Sequence, residues 1–174
     1  MAPKKKSMWV LFGILVISAW VFGSALQAGA ETLNYKVYTY VTKEENVPIG
    51  DVEEHNMVFS TRRAFCVFEN GEVATQSSVF TGDMIKSVGS GLQYSTLTFA
   101  DGSTIIMKVQ VTVEKTVAGP WASRITREII KGTGRFEGIK GTGTTKVKYL
   151  PVEKGEAGAK GIGEGTLTHT LPSK

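Results

Sequence analysis

The chain has 174 residues, of which 41% are hydrophobic and 21% charged, with a formal charge of +4. A single cysteine, Cys66, excludes an internal disulfide, so stability must come from apolar burial and backbone pairing. The positive charge is local: Lys4, Lys5 and Lys6 precede the first acid, Glu31, so residues 31–174 carry only about +1 and the argument for a nucleic-acid partner falls away.

Those three lysines open a leader. Met8–Leu26 has no charged residue and Ala28-Gly29-Ala30 supplies small residues at a cleavage position, the pattern of a secretory signal peptide over residues 1–30. This predicts a signal helix and a secreted or periplasmic product. An uncleaved membrane anchor is the alternative, because about 20 apolar residues span a bilayer. No cysteine follows the apolar run, which argues against a lipid-anchored N-terminus. Residues 31–174, about 144 in all, are enough for one domain with a single core.

The remainder reads as β-structure. Leu33–Thr42 is a first predicted strand. Met57–Glu69 and Glu72–Phe80 flank Asn70-Gly71, and Leu92–Phe99 and Ser103–Glu114 flank Asp101-Gly102; both dipeptides are tight-hairpin signals. Within Ser103–Glu114, Ile105, Met107, Val109, Val111 and Val113 alternate with polar residues, so one face is core and the other wet. Trp121–Lys131, Gly141–Leu150 and Gly161–Thr170 complete eight strands. Gly89-Ser90-Gly91 and the glycine-bearing segment 151–161 are predicted connections. No stretch after the leader has the spacing of a long amphipathic helix, which leaves nothing to hold the mature chain on a membrane surface. Eight antiparallel strands leave two unpaired edges unless the sheet closes, so an all-β barrel is predicted, with a β-sandwich as the alternative.

Between the sixth and seventh strands lies a dense glycine cluster: Gly132, Gly134, Gly138, Gly141 and Gly143 fall within thirteen residues, around Phe136 and Ile139. Glycines mark a sharp corner, and the two apolar residues suggest a structured plug. The run Gly132-Thr133-Gly134-Arg135-Phe136 resembles the corner motif of dirigent proteins, and Gly132-x-Gly134-x-Phe136-Glu137-Gly138 resembles that of plant allene oxide cyclases. The cysteine of Cys66-Val67-Phe68-Glu69 and the Val47-Pro48 loop are weaker echoes of the cyclases. The resemblance implies a single eight-stranded calycin-like antiparallel barrel, cofactor-free chemistry if any, and a homodimer or homotrimer. It also implies a departure: the carboxylate and amide that the cyclases carry on the first strand fall near Thr39 and Val41, so the catalytic pair is missing.

An eight-stranded barrel is wide enough to fill itself or to hold one small ligand. If Ile105–Val113 face inward, Met107 lines the interior, and Trp121, Ile125 and Ile129 place Arg127 on the same face. Arg63 shares a face with Phe59, Phe65 and Val67, and Tyr35 with Leu33 and Val37. Arg63, Arg127 and Tyr35 thus present donors to an oxygenated hydrophobic molecule, or the arginines pair with Glu69, Glu128 or Glu164 near a mouth. A register shift of one residue would put Cys66 inside instead. His55 and His169 lack any flanking ligand pattern, so no metal centre or histidine triad is expected. Asp51, Glu53 and Glu54 read as a solvated loop, with weak calcium binding as a minor alternative. The leading functional expectation is an exported barrel binding a hydrophobic or aromatic small molecule. The alternatives are a cofactor-free cyclase, isomerase or dirigent-like stereocontrol protein, or a structural protein with a solid barrel; the residues leave open whether it is an enzyme.

Overall fold

The computed structural model describes residues 29–116 and 121–173; the predicted signal helix lies outside them. Eight strands follow in order: β1 Glu31–Pro48, β2 His55–Phe68, β3 Val73–Ile85, β4 Val88–Phe99, β5 Thr104–Lys115, β6 Trp121–Thr133, β7 Lys140–Leu150 and β8 Lys160–Thr170. Each pairs antiparallel with the next, and β1 pairs with β8 through Tyr35 opposite Gly165 to close the ring. This bears out the all-β, eight-stranded closed barrel and removes the sandwich alternative. Closure leaves no sheet edge to aggregate. Among the described residues no helix is long and apolar enough to cross a membrane.

β5 shows how the pattern produces the core. Ile105, Met107, Val109, Val111 and Val113 are all buried, while Lys108, Gln110 and Thr112 between them are exposed. Burying such side chains contributes roughly 1.5–3 kcal/mol each.

The same reading fails on β2. Phe59, Phe65 and Val67 are 40–49% exposed and point outward, taking Arg63 with them, whereas Val58, Ser60, Ala64, Cys66 and Phe68 are buried. Both faces of this strand carry large apolar side chains, so alternation alone does not decide which one faces in. Pairing decides it: Phe68 lies opposite Tyr35, Cys66 opposite Val37, and Ala64 opposite Gln76. Arg62, not Arg63, is the arginine that faces the interior.

Two connections also differ from expectation. Gly89-Ser90-Gly91 lies within β4, opposite Met84, Asp83 and Gly82, and the turn is the positive-φ pair Lys86-Ser87. Gly91 belongs in the sheet because a Cβ there would stand 2.5 Å from Phe80 Cε2; its absence lets the Phe80 ring lie against the backbone. β1 runs beyond Thr42 to Pro48, with a register shift between Val41 and Lys43. That bulge turns Glu44 and Asn46 to the inward face, opposite Ser60 and Val58.

The glycine corner forms a short 3-10 turn, Gly134–Phe136, that seals one end of the barrel. Phe136 and Ile139 are buried, and a run of ring contacts crosses the closed end: Tyr35 tilted against Phe68 at 5.4 Å, Phe68 stacked on Phe99 at 5.6 Å, Phe99 tilted against Phe136 at 4.7 Å. Gly132 permits this approach, since a Cβ there would lie 2.1 Å from the Phe136 carbonyl oxygen. Gly134 adopts φ +62 and sits against Ser103. Gly138 has φ +75, and Gly141 passes close to the backbone of β8 at Thr168. Arg135 covers the plug from outside, 4.7 Å from the Phe136 ring, with Glu72 Oε1 at 2.6 Å from its Nη2.

Candidate functional site

A chain of buried polar groups crosses the middle of the barrel. Tyr35 and Thr145 share a hydroxyl hydrogen bond of 2.5 Å, Arg127 Nε donates to Thr145 Oγ1 at 3.0 Å, and Arg127 Nη1 donates to Gln76 Oε1 at 3.4 Å. Gln76 Nε2 donates to Ser78 Oγ at 2.9 Å, Ser78 and Ser95 share a bond of 3.1 Å, and Gln93 Nε2 donates to Ser95 Oγ at 2.7 Å. Arg127 is 5% exposed and pairs with no carboxylate among the described residues. Hydroxyl and amide oxygens solvate it instead, as an interior charge requires.

Met107 and Cys66 lie at 1% exposure in the same interior. Burial pushes the Cys66 thiol up to about 11, with the Arg127 charge pulling weakly the other way. It is therefore a packed thiol and not a nucleophile.

Beyond this belt, away from the plug, the barrel opens into a chamber of about 550 Å³. Val58, Phe80, Met84, Val113, Trp121 and Tyr149 supply its apolar and aromatic wall, and Arg62 faces into it. Its rim carries Glu44, Asn46 and Asn56, with Val152, Gly158 and Ala159 of the β7–β8 connection. That connection is held down by Val41 N donating to Ala159 O at 2.9 Å and by Lys160 Nζ bridging Glu153 and Glu156 at 2.9 and 2.7 Å. Tyr149 Oη donates to Ser123 Oγ at 3.3 Å and Arg62 Nε to Ser60 Oγ at 3.2 Å, so both polar wall groups are oriented by inward serines.

A larger concavity, about 790 Å³, lies outside the barrel. Its lining is one row of residue triplets from five adjacent strands, Val67–Glu69, Asn34–Lys36, Glu164–Thr166, Thr144–Lys146 and Arg124–Thr126. The middle residue of each triplet turns inward, so the floor is hydrogen-bonded backbone and the walls are solvated side chains. It encloses nothing, and the interior chamber is the better site.

The predicted site residues are thus divided. Tyr35, Cys66, Met107 and Arg127 share the interior, with Tyr35 and Arg127 joined through Thr145; Arg63 is on the outer surface. Neither Glu69, Glu128 nor Glu164 pairs with Arg127, because Asn34 occupies Glu69 and the other two point outward. Missed from the sequence were Arg62, Glu44 and Asn46. Asn46 Nδ2 donates to Glu44 Oε1 at 3.4 Å on the inward side of β1. The signal that could have found them is the position of Glu44 and Asn46 just ahead of Pro48. His55 and His169 sit at opposite ends of the barrel, and no group of three metal-binding side chains occurs among the described residues.

The chain is similar to the pterocarpan synthase dirigent protein PsPTS1, with a TM-score of 0.53 and 15% identity over 84% of this chain and 97% of that one. The likeness is one of fold: a dirigent-like barrel. A second pterocarpan synthase dirigent protein, GePTS1, superposes with a TM-score of 0.49 at 15% identity, covering 83% of this chain and 92% of the other. No protein-family model matches the sequence, and no curated protein does.

Proposed function

We propose that this is an exported β-barrel that holds one hydrophobic or aromatic small molecule in the open chamber, with no cofactor. The observation that carries the reading is the chamber itself: about 550 Å³, lined by Val58, Phe80, Met84, Val113, Trp121 and Tyr149. That volume and lining fall within the range of small-molecule pockets, about 300–1,000 Å³ with few polar groups. Export rests on the leader motif of residues 1–30, and a homodimer or homotrimer on the family resemblance.

The test is titration of residues 31–174 with the neutral fluorescent probe N-phenyl-1-naphthylamine, alongside Val113→Phe, which fills the chamber. Saturable uptake that Val113→Phe abolishes supports the reading. Absence of saturable uptake leaves the solid-barrel alternative.

A second reading, dirigent-like control of a reactive intermediate, is favoured by the Glu44–Asn46 pair facing the mouth and by the fold shared with a pterocarpan synthase dirigent protein. Such a site would act by confining one conformer and excluding water, with Glu44 accepting a proton from a bound hydroxyl. Glu44→Gln separates the two: it would abolish turnover under the second reading and leave neutral-probe binding intact under the first.

A further inference from the structure

We propose that the natural ligand of the chamber is an anion: an aromatic or alicyclic body bearing one carboxylate, sulfonate or similarly charged oxygen group, held by Arg62. The inference deepens the chamber reading and rests on it. Among the chamber's lining residues Arg62 is the only cation. Its guanidinium carbon lies over the Phe80 ring, 4.4 Å from the centre, and Phe80 is held in turn by the bare backbone of Gly82 and Gly91. A guanidinium over a ring face keeps its N–H groups available to an acceptor.

The side chain spends Nε on Ser60 and makes no ion pair with a described residue. The nearest structural candidate for a counter-ion is Glu44, whose strand position lies opposite Ser60. Glu44 is exposed at the rim, accepts from Asn46, and is not within ion-pair distance of Arg62. Arg127, deeper in, is engaged by Thr145 and Gln76. A half-buried cation beside an apolar wall, with no carboxylate within ion-pair distance among the described residues, is a receptor for an anionic oxygen. A planar carboxylate or a sulfonate suits the two-pronged geometry. Contact with Met84 and Trp121 would supply the remainder of the binding energy.

Two probes with the same body separate charge from shape. 8-Anilinonaphthalene-1-sulfonate and N-phenyl-1-naphthylamine differ by the sulfonate, and each is titrated into residues 31–174 and the variants Arg62→Gln, Arg63→Gln and Glu44→Gln. Arg62→Gln is expected to weaken the sulfonate probe by roughly 10- to 100-fold, the scale of a charge-assisted hydrogen bond, while neutral-probe affinity stays within about two-fold and shows that the chamber is still folded. Arg63→Gln makes the same charge change on the outer face and should alter neither probe. Glu44→Gln should tighten the sulfonate probe and leave the neutral one unchanged. Equal loss of both probes in Arg62→Gln, no loss of either, or uptake of the neutral probe alone by the unsubstituted protein would overturn the anion assignment and leave the chamber reading intact. If neither probe enters the unsubstituted protein, the chamber reading itself fails.

Discussion

The guanidinium carbon of Arg62 lies over the Phe80 ring, 4.4 Å from its centre, and the ring packs against the backbone of Gly82 and Gly91, which carry no side chain there. Sequence, packing and site meet at this stack. Two glycines inside strands, which lose entropy and pack nothing themselves, create the slot that flattens Phe80, and flat Phe80 presents a face to the cation.

Gly91→Ala therefore closes the slot. The new Cβ would stand 2.3 Å from Thr81 O and 2.5 Å from Phe80 Cε2, so the ring must move. The expected cost is about 1–3 kcal/mol, as for overpacking elsewhere, read as a lower denaturation midpoint with an unchanged slope. A midpoint equal to that of the unsubstituted protein would mean that Phe80 does not occupy the slot.

His55 stands at the start of β2 between two carboxylates, with Nδ1 against Asp51 Oδ1 and Nε2 2.7 Å from Asp83 Oδ1. The bond to Asp83, then that to Asp51, holds its pKa above the ordinary 6.5, and the bond from His55 holds Asp51 below the ordinary carboxylate value of 3.8. The raised histidine stabilises the fold fully below about pH 6.5, and that contribution disappears as pH rises through the folded value. The depressed Asp51 contributes above about pH 3.8 and loses its effect as pH falls through its folded value. The thermal midpoint should accordingly decline above about pH 6.5, and His55→Gln should flatten that decline. An identical alkaline slope in His55→Gln would remove His55 as its cause.

Cys66 should resist modification in the folded protein. It is 1% exposed, and burial pushes its thiol up to about 11, so the thiolate is scarce near neutrality. Labelling by a maleimide is expected to follow the rate of global opening and to accelerate sharply through the unfolding transition. Rapid, stoichiometric labelling of the native barrel would show that the interior around Cys66 admits solvent.

Most of the fold was legible in residue order. β5 announces its faces because its outward positions are Lys108, Gln110, Thr112 and Glu114, and the turns at Asn70-Gly71 and Asp101-Gly102 carry residues that tolerate positive φ. The site was less legible, for two physical reasons. On β2 the apolar residues Phe59, Phe65 and Val67 lie on the outside of the barrel, so the strand has two hydrophobic faces and only cross-strand pairing distinguishes Arg62 from Arg63. On β1 the bulge near Thr42 reverses the alternation, carrying Glu44 and Asn46 to the inward side, and a one-residue irregularity of this kind leaves no periodic trace.

Residues 31–174 contain a single tryptophan, Trp121, and it lines the chamber. Its emission during titration with N-phenyl-1-naphthylamine is therefore the most direct measurement of whether the barrel is a receptor. A ligand inside the mouth should saturate at one per chain and quench Trp121 by energy transfer along the same binding curve. Uptake that leaves Trp121 emission unchanged, or the absence of any saturable quenching, would contradict a ligand-holding chamber at this end of the barrel.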